Sequence, residues 1–368
     1  RLSEKPTNNL VAYEAYLKAR EIYYNSNYSR SREIAAVPLL EKAIKLDPEY
    51  AEALAMLADV LGQLYWRGIN TSEEFVAEYR STIDRALELN PNSPSALRAA
   101  ANYHYRVDNN YALALELVEQ ALQLAPGDAD LIGDRGLCLR RLGRFDESIA
   151  SFLKALEIDP ANTYYRSLAV ETMAIEHRWQ DIIDTTVPLA DANPDDLDMQ
   201  VTRALATLNL NGDLDPLEQV FQRMNLIDSS DYMNWSARVY YLKREPDKSI
   251  EVLNNTIWNN SQMDPVFETY RDYQLASAYR LKGDHAQANL HFELVTDKLG
   301  RLLESSLQAQ VYEGMMIATS MAWMDRHEEA HALALQLLRE NPIEKDAMLY
   351  GWLLSAAALV KGITGDHE

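Results

Sequence analysis

Apolar residues recur along most of the chain at the three- and four-residue spacing of amphipathic helices, with short polar turns between the helical segments. The clearest example is "ADLIGDRGLCLRRLGRFDESIASFLKALEIDP", residues 129–160, in which two such segments flank the turn "LGRF". A proline follows the second segment, and proline cannot continue a helical hydrogen-bond ladder. This stretch predicts two antiparallel helices joined by a tight turn.

The same unit is repeated along the chain. Prolines follow the second helix of several copies, at positions 48, 91, 126, 160, 194 and 342. Three consecutive intervals between them are 35, 34 and 34 residues. A period near 34 residues with helical patterning is typical of stacked helix-turn-helix repeats.

The repeat resembles the tetratricopeptide repeat family. Gly136 matches the small eighth residue of that family, "LGRF" matches its turn, and Phe152, Ala155 and Pro160 match later consensus places. The resemblance implies an all-α, right-handed superhelical solenoid of about nine helix-turn-helix repeats with a C-terminal capping helix. Pro216 and Arg238 stand where small residues belong, so the sixth and seventh copies depart from the pattern.

The repeat frame predicts a single solenoid domain over residues 1–368. The copies are predicted to begin near residues 8, 51, 95, 129, 163, 197, 231, 269 and 311, with the capping helix over about 344–361. Hydrophobic residues make up 47% of the chain, enough for a large core. The chain begins at Arg1 without an initiator methionine, and we expect it to be part of a longer protein.

Net charge, apolar run length and cysteine count exclude several kinds of partner and site. The net charge of −21 argues against binding of nucleic acid or an anionic membrane. No uninterrupted apolar run approaches the roughly 20 residues of a membrane-spanning helix, so no membrane insertion by this region is expected. Cys138 is the only cysteine, which excludes an internal disulfide and a cysteine-rich metal site.

One motif suggests zinc chemistry. His327, Glu328 and His331 form the H-E-x-x-H pattern of zinc proteases within "DRHEEAHAL". The second helix of a tetratricopeptide repeat predicts most of the same letters, with Ala330 at a small packing place. The sequence also has no Walker loop, no glycine-rich dinucleotide turn and no G-x-S-x-G elbow. We therefore predict a protein that is not an enzyme and needs neither a metal nor a cofactor.

The family resemblance places a ligand groove along the inner wall, which the first helix of each repeat forms. Eight positions of this wall carry Tyr or Trp, in a chain with only 21 tyrosines and six tryptophans among 368 residues. They are Tyr103, Tyr164, Tyr232, Trp235, Tyr270, Tyr273, Tyr312 and Trp323. The basic residues of the same wall are Arg106, Arg140, Arg141, Lys243 and Arg280.

Together these residues predict a concave groove for a protein or peptide, with an arginine-bearing middle and an aromatic end. The alternative for each aromatic residue is packing between repeats. Binding through an acidic outer wall, and homodimerisation through one end of the array, are the rival modes of association. The family's clamp for a C-terminal carboxylate needs Lys and Asn, but the corresponding places hold Ala55, Ala99, Gly133 and Ser167.

The opening residues add a second resemblance. "EKPTNNLVAYEAYLKAREIYY", residues 4–24, resembles the entry to the C-terminal repeat region of bacterial winged-helix regulators and class III nucleotide cyclases. This resemblance implies the sensory or partner-binding half of a bacterial signalling or transcriptional regulator, periplasmic in membrane-linked members and otherwise cytoplasmic. The alternatives are a free-standing scaffold or assembly factor, and a repeat array that docks substrates for a linked enzyme domain.

Overall fold

The computed structural model describes residues 7–25, 30–160, 162–192, 195–224, 230–255, 265–303 and 310–365. Within these ranges the chain forms nineteen α-helices and no strands. The helices form nine consecutive pairs, each with a first and a second helix, followed by one further helix. The all-α class, the nine helical pairs and the final capping helix are thereby confirmed.

The first unit of the chain, Arg1–Thr172, contains four complete pairs and most of α9. Its pairs are α1 (Leu10–Asn25) with α2 (Arg30–Leu46), α3 (Ala51–Trp66) with α4 (Glu73–Leu89), α5 (Pro94–Arg106) with α6 (Tyr111–Leu124), and α7 (Ala129–Arg141) with α8 (Phe145–Ile158). α9 is Thr163–Ile175.

The second unit, Met173–Glu368, contains the remaining helices. They are α10 (Trp179–Ala192), α11 (Leu197–Asn211), α12 (Asp215–Met224), α13 (Ser230–Leu242), α14 (Pro246–Asn255), α15 (Pro265–Lys282), α16 (His285–Leu303), α17 (Gln310–Trp323), α18 (His327–Glu340) and α19 (Ala347–Thr364). The first helices begin within about four residues of the positions that the repeat frame predicts. The single-domain organisation stays a prediction.

In six of the pairs, the turn between the two helices has one residue in the left-handed region at the same place. Two residues before the second helix, φ is positive at Gly143 and Gly283 and also at Asn109, His177, Arg244 and Asp325. Only glycine occupies this region without a steric cost. The turns thus keep the same geometry at the four places where the residue is not glycine.

Close packing of the fourth pair depends on Gly136. A Cβ atom added at Gly136 would lie 2.6 Å from a ring carbon of Phe152, which is fully buried. The Ser148 hydroxyl, also buried, donates a hydrogen bond of 2.8 Å to the Gly136 carbonyl oxygen. The glycine therefore allows α7 and α8 to approach until ring and backbone are in contact.

The final helix packs against the last pair. Leu353 and Val360 of α19 are buried in one cluster with Met315 and Ala318 of α17 and Leu337 of α18. α19 is also the one helix of the described ranges that is long and apolar enough to cross a membrane, with a mean hydropathy of 1.4 and 22% of that window buried.

Candidate functional site

The first unit contains a cleft of about 900 Å³, lined mainly by its first helices α1, α3, α5, α7 and α9. Six arginines and four aspartates face it. We call it the charged cleft. Its lining includes Trp66, Arg98, Tyr105, Arg106, Arg140, Arg141 and Tyr164, with Asp59, Asp130 and Asp134.

The aspartates of the charged cleft have partners within the protein. Arg98 Nε donates to Asp134 at 2.6 Å, and its Nη1 lies 3.5 Å from an Asp130 oxygen. The Tyr165 hydroxyl donates to Asp130 at 2.7 Å, and the Tyr23 hydroxyl donates to Asp59 at 3.0 Å. Burial raises the pKa of the Asp134 carboxyl, and the neighbouring Arg98 only partly opposes this.

The arginines of the same cleft are held differently. Arg140 is buried, and its Nη1 donates to Glu171 at 3.1 Å. Arg141 Nε donates to the Tyr105 hydroxyl at 3.0 Å, and its guanidinium stacks over the rings of Tyr105 and Tyr111. The structure thus brings the predicted basic residues Arg106, Arg140 and Arg141 to one cleft.

The aromatic residues predicted for this unit take two different positions. Tyr164 lines the charged cleft and is 47% exposed. Tyr103 is buried, in edge-to-face contact with Tyr79 and beneath the Arg80 guanidinium. Tyr103 therefore packs between helices, which was the alternative to a place on the groove wall. The aromatic residues of the charged cleft that sequence reasoning missed are Tyr23, Tyr24, Trp66, Tyr105 and Tyr165.

The second unit contains a smaller cleft of about 250 Å³ between α15, α17 and α19. We call it the apolar cleft. It is lined by Tyr270, Tyr273, Tyr312, Met315, Met316, Thr319, Leu349, Trp352, Leu353, Ala356 and Leu359. Three of the predicted aromatic residues thus lie together, and all its lining residues are uncharged.

Several large side chains of the apolar cleft face solvent. Tyr270, Tyr312 and Leu359 are exposed, and Trp352 is 54% exposed. Tyr312 and Trp352 are in edge-to-face contact, with ring centroids 5.7 Å apart. Burial raises the pKa of Tyr270 and Tyr273, so their hydroxyls stay protonated at neutral pH. Trp352 lies on the capping helix, where a frame built on the inner wall of the repeats could not locate it.

The remaining predicted groove residues lie outside both clefts or outside the described residues. Arg280 stacks over the Trp323 ring at 4.6 Å and donates to the Trp323 carbonyl oxygen at 2.7 Å. Lys243 forms an ion pair of 2.8 Å with Glu218. Tyr232 and Trp235 belong to α13, but their side chains are outside the described residues.

The histidine motif lies on α18, as the repeat frame predicts. His327 is the first residue of that helix, and His331 lies about one turn later. His331 Nε2 lies 2.7 Å from the Thr364 hydroxyl of α19, while His327 lies 3.6 Å from Asp325. Within the described ranges no group of three or more His, Cys, Asp or Glu side chains is placed to hold a metal ion. His331 thus has a packing partner on the capping helix.

Cys138 lies in the core of the first unit, in a cluster with Tyr105, Tyr111 and Leu139. Burial raises the pKa of its thiol, so the thiolate is disfavoured at neutral pH. Arginine donors, aromatic faces and an apolar cleft, as the two units present them, are features of binding surfaces. The arrangement of the described residues therefore fits recognition of a ligand.

The comparison with known families gives one match. The tetratricopeptide repeat model matches residues 101–174, from α5 into α9. This segment contains most of the third and fourth copies, in which the sequence pattern is clearest. The match supports a tetratricopeptide repeat module for protein–protein interaction.

Known proteins share parts of the chain. The SGT1 homolog of Oryza sativa is 40% identical over 55 residues, which are 15% of each chain. The peroxisomal targeting signal receptor of Candida albicans is 27% identical over 178 residues, 46% of this chain and 28% of that one. The chain thus spans less than a third of these two relatives. A thermophilic tetratricopeptide repeat protein of Thermus thermophilus is 22% identical, with a TM-score of 0.43 over 54% of this chain and 99% of that one.

Proposed function

We propose that this chain is a non-enzymatic module that binds a protein or peptide along the wall formed by its first helices. The observation that carries the proposal is the apolar cleft, in which Tyr312 and Trp352 are exposed beside Tyr270. Tyrosine and tryptophan provide a large contact area at little cost in conformational entropy, and they are frequent anchors of interfaces. An apolar segment of a partner, extended or helical, has the chemistry that this cleft accommodates.

We further propose that the module is the sensory or partner-binding region of a bacterial signalling or transcriptional regulator. The support for this context is the resemblance of residues 4–24 to the entry of such repeat regions. The repeat-rich fold supports it as well, because a solenoid offers a binding surface without chemistry of its own. In this role the ligand would act by occupying the module.

The binding proposal can be tested with a pool of random peptides of about 15 residues, selected on the full chain. We expect enrichment of peptides that carry aromatic or aliphatic anchors. Tyr312→Ala removes an exposed ring of the apolar cleft and should abolish that enrichment. Circular dichroism should show unchanged helix content, because Tyr312 is largely outside the core.

The matched control is Leu335→Ala. Leu335 is an exposed apolar residue of α18, 53% exposed compared with 40% for Tyr312, and it does not line the apolar cleft. The control variant should select the same peptides as the wild-type chain. Equal selection by the wild-type chain and Tyr312→Ala would contradict the proposed site, and absence of any selected peptide would contradict the binding function.

A further inference from the structure

Arg106 is an unusual arginine of the charged cleft. It makes no hydrogen bond or ion pair with any residue of the described ranges, and its Nη1 atom is buried. Guanidinium groups inside proteins ordinarily have partners, because an unsatisfied buried donor is costly. A ligand oxygen placed beside this atom would satisfy the donor.

Gly62 of α3 leaves the space that the Arg106 guanidinium occupies. A Cβ atom added at Gly62 of α3 would lie 2.9 Å from Arg106 Nη1 and 2.5 Å from the Tyr79 hydroxyl. The absence of a side chain at Gly62 therefore makes room for the guanidinium. The Tyr79 hydroxyl donates to the Ala99 carbonyl oxygen at 3.4 Å. The rest of the Arg106 side chain lines the cleft and is partly accessible.

Arg140 supplies a second donor to the same cleft. Its side chain is 6% exposed, and its Nε has no hydrogen-bond partner while Nη1 binds Glu171. The aspartates of the cleft, in contrast, accept hydrogen bonds from Arg98, Tyr23 and Tyr165. Two guanidinium atoms of the cleft thus lack acceptors, and arginines outnumber its aspartates in a chain of net charge −21.

We propose that the charged cleft binds an oxyanion of the partner, a carboxylate or a phosphate, through Arg106 and Arg140. This inference rests on the proposed binding function and identifies one chemical group of its ligand. A carboxylate or phosphate oxygen accepts the hydrogen bonds that the buried guanidinium atoms lack, and such charge-assisted bonds are among the strongest in proteins. Tyr164 and Trp66 provide exposed rings against which the flanking chain would pack.

The oxyanion site can be tested directly by nuclear magnetic resonance with inorganic phosphate as the probe. The full chain, labelled at arginine nitrogens, is titrated with sodium phosphate and, at equal ionic strength, with sodium chloride. The Arg140 Nε–H resonance, identified by its loss in Arg140→Lys, should move downfield and saturate with phosphate alone. No movement, or equal movement with chloride, would overturn the proposal.

Variants assign this effect to Arg106. Arg106→Gln should weaken phosphate binding about tenfold, because one charged donor is lost. The control is Arg85→Gln, which makes the same charge change at an exposed residue of α4 paired with Glu88. Arg106→Gln should melt no lower than the wild-type chain, since it removes a buried donor without a partner. If it melts lower, Arg106→Lys tests the site with the charge retained, and unchanged phosphate binding in both variants would overturn the proposal.

Peptides separate this inference from the proposed function. Random pools of about nine residues carry glutamate, phosphoserine or glutamine at the centre, and their affinities for the full chain are compared. We expect the glutamate pool, the phosphoserine pool or both to bind about tenfold more tightly than the glutamine pool, with the advantage lost in Arg106→Gln. The favoured pool identifies the source of the oxyanion. Equal binding of all pools would overturn this inference and leave the binding function intact, whereas binding of none would overturn the proposed function.

Discussion

The two units of this chain are built from the same helical pair but present clefts of opposite chemistry. The cleft of the first unit is about 900 Å³ and is faced by six arginines and four aspartates. The cleft of the second unit is about 250 Å³, and its lining residues are uncharged. Part of the difference comes from the first helices, whose residues outside the helix–helix contacts line both clefts. In the second unit, α19 adds further apolar residues. One repeat scaffold thus presents a charged cleft in one unit and an apolar cleft in the other.

Buried carboxylates show the same contrast. Asp134 of the first unit has a raised pKa because burial outweighs the effect of Arg98. Burial also acts to raise the pKa of Asp272 in the second unit, but hydrogen bonds with His291 and Lys298 outweigh it and lower the pKa. Their contacts to Asp272 are 3.1 Å and 2.8 Å. Asp272 is thus held charged by two partners, whereas Asp134 keeps its charge at a cost despite its bond from Arg98.

The largest effect on stability should come from helix packing inside each unit. Gly136→Leu of the first unit should destabilise the fold by roughly 3 kcal/mol or more, since the new side chain would overlap the Phe152 ring. Gly314→Leu of the second unit should cost less, because a Cβ there meets the flexible end of Leu337 at 2.9 Å. Thermal unfolding measures both.

Gly300→Ala is the control for this pair of variants, because a Cβ at Gly300 meets nothing within 4 Å. Its melting temperature should not fall. An unchanged melting temperature of Gly136→Leu would mean that the register of the fourth copy is wrong.

The second-largest effects should be on peptide binding, where variants of the two clefts should differ. The double variant Tyr312→Ala and Trp352→Ala should weaken binding of an apolar peptide pool by about 2–4 kcal/mol, because two exposed anchors of the apolar cleft are lost. Arg106→Gln should leave this pool unaffected. Fluorescence anisotropy measures the affinities, and a loss of equal size in both variants would contradict separate roles for the two clefts.

The pH dependence of stability should have opposite sign for the two carboxylates. A lowered pKa stabilises the fold above the unfolded value of about 3.9, and this contribution is lost as the pH falls through the folded value. A raised pKa destabilises the fold above the folded value, and this cost is relieved as the pH falls below it. Asp272 has the lowered pKa, and Asp134 has the raised pKa.

Urea unfolding at about pH 7 and about pH 3 tests these signs, because the Asp272 contribution is lost only below its unfolded pKa of about 3.9. The destabilisation by Asp272→Asn should be about 1–3 kcal/mol at neutral pH and should shrink in acid. The wild-type chain should gain stability relative to Asp134→Asn as the pH falls. The same direction of change for both variants would contradict the assignment.

The smallest effects should come from the turns inside the pairs. Gly143→Ala should destabilise by about 1 kcal/mol, because φ there is 74°. His177→Gly, at the same place of the next pair with φ of 54°, should stabilise by less than about 1 kcal/mol. Thermal unfolding of both variants measures the difference. Destabilisation by His177→Gly would mean that the contact of His177 with Trp179, with centroids 5.5 Å apart, outweighs the backbone strain.

Much of this fold could be predicted from the sequence, because helical periodicity, the proline period and small residues such as Gly136 are local signals. Places on the inner wall were harder to interpret. Tyr103 and Tyr164 share a predicted wall, yet the first is buried against Tyr79 and the second lines the charged cleft. Periodicity identifies a helix face, but the size of neighbouring residues determines which side chain packs inward.

The apolar cleft shows what repeat patterning omits. Its exposed tryptophan, Trp352, belongs to the capping helix, which follows no repeat consensus. The unpartnered atoms of Arg106 and Arg140 depend on which neighbours reach them, and spacing along the chain does not encode that. Sequence reasoning brought Arg106, Arg140 and Arg141 to one wall, but it could not distinguish the arginine without partners from the two with them.

The central claim, that the two clefts bind by different chemistry, is tested most directly by the salt dependence of binding. Glutamate-centred and apolar peptide pools are measured against the wild-type chain, Arg106→Gln and Tyr312→Ala at about 50 mM and about 500 mM sodium chloride. Binding of the glutamate pool should weaken with salt and in Arg106→Gln, whereas binding of the apolar pool should resist salt and weaken in Tyr312→Ala. Equal salt sensitivity of both pools, or equal losses in both variants, would contradict the claim.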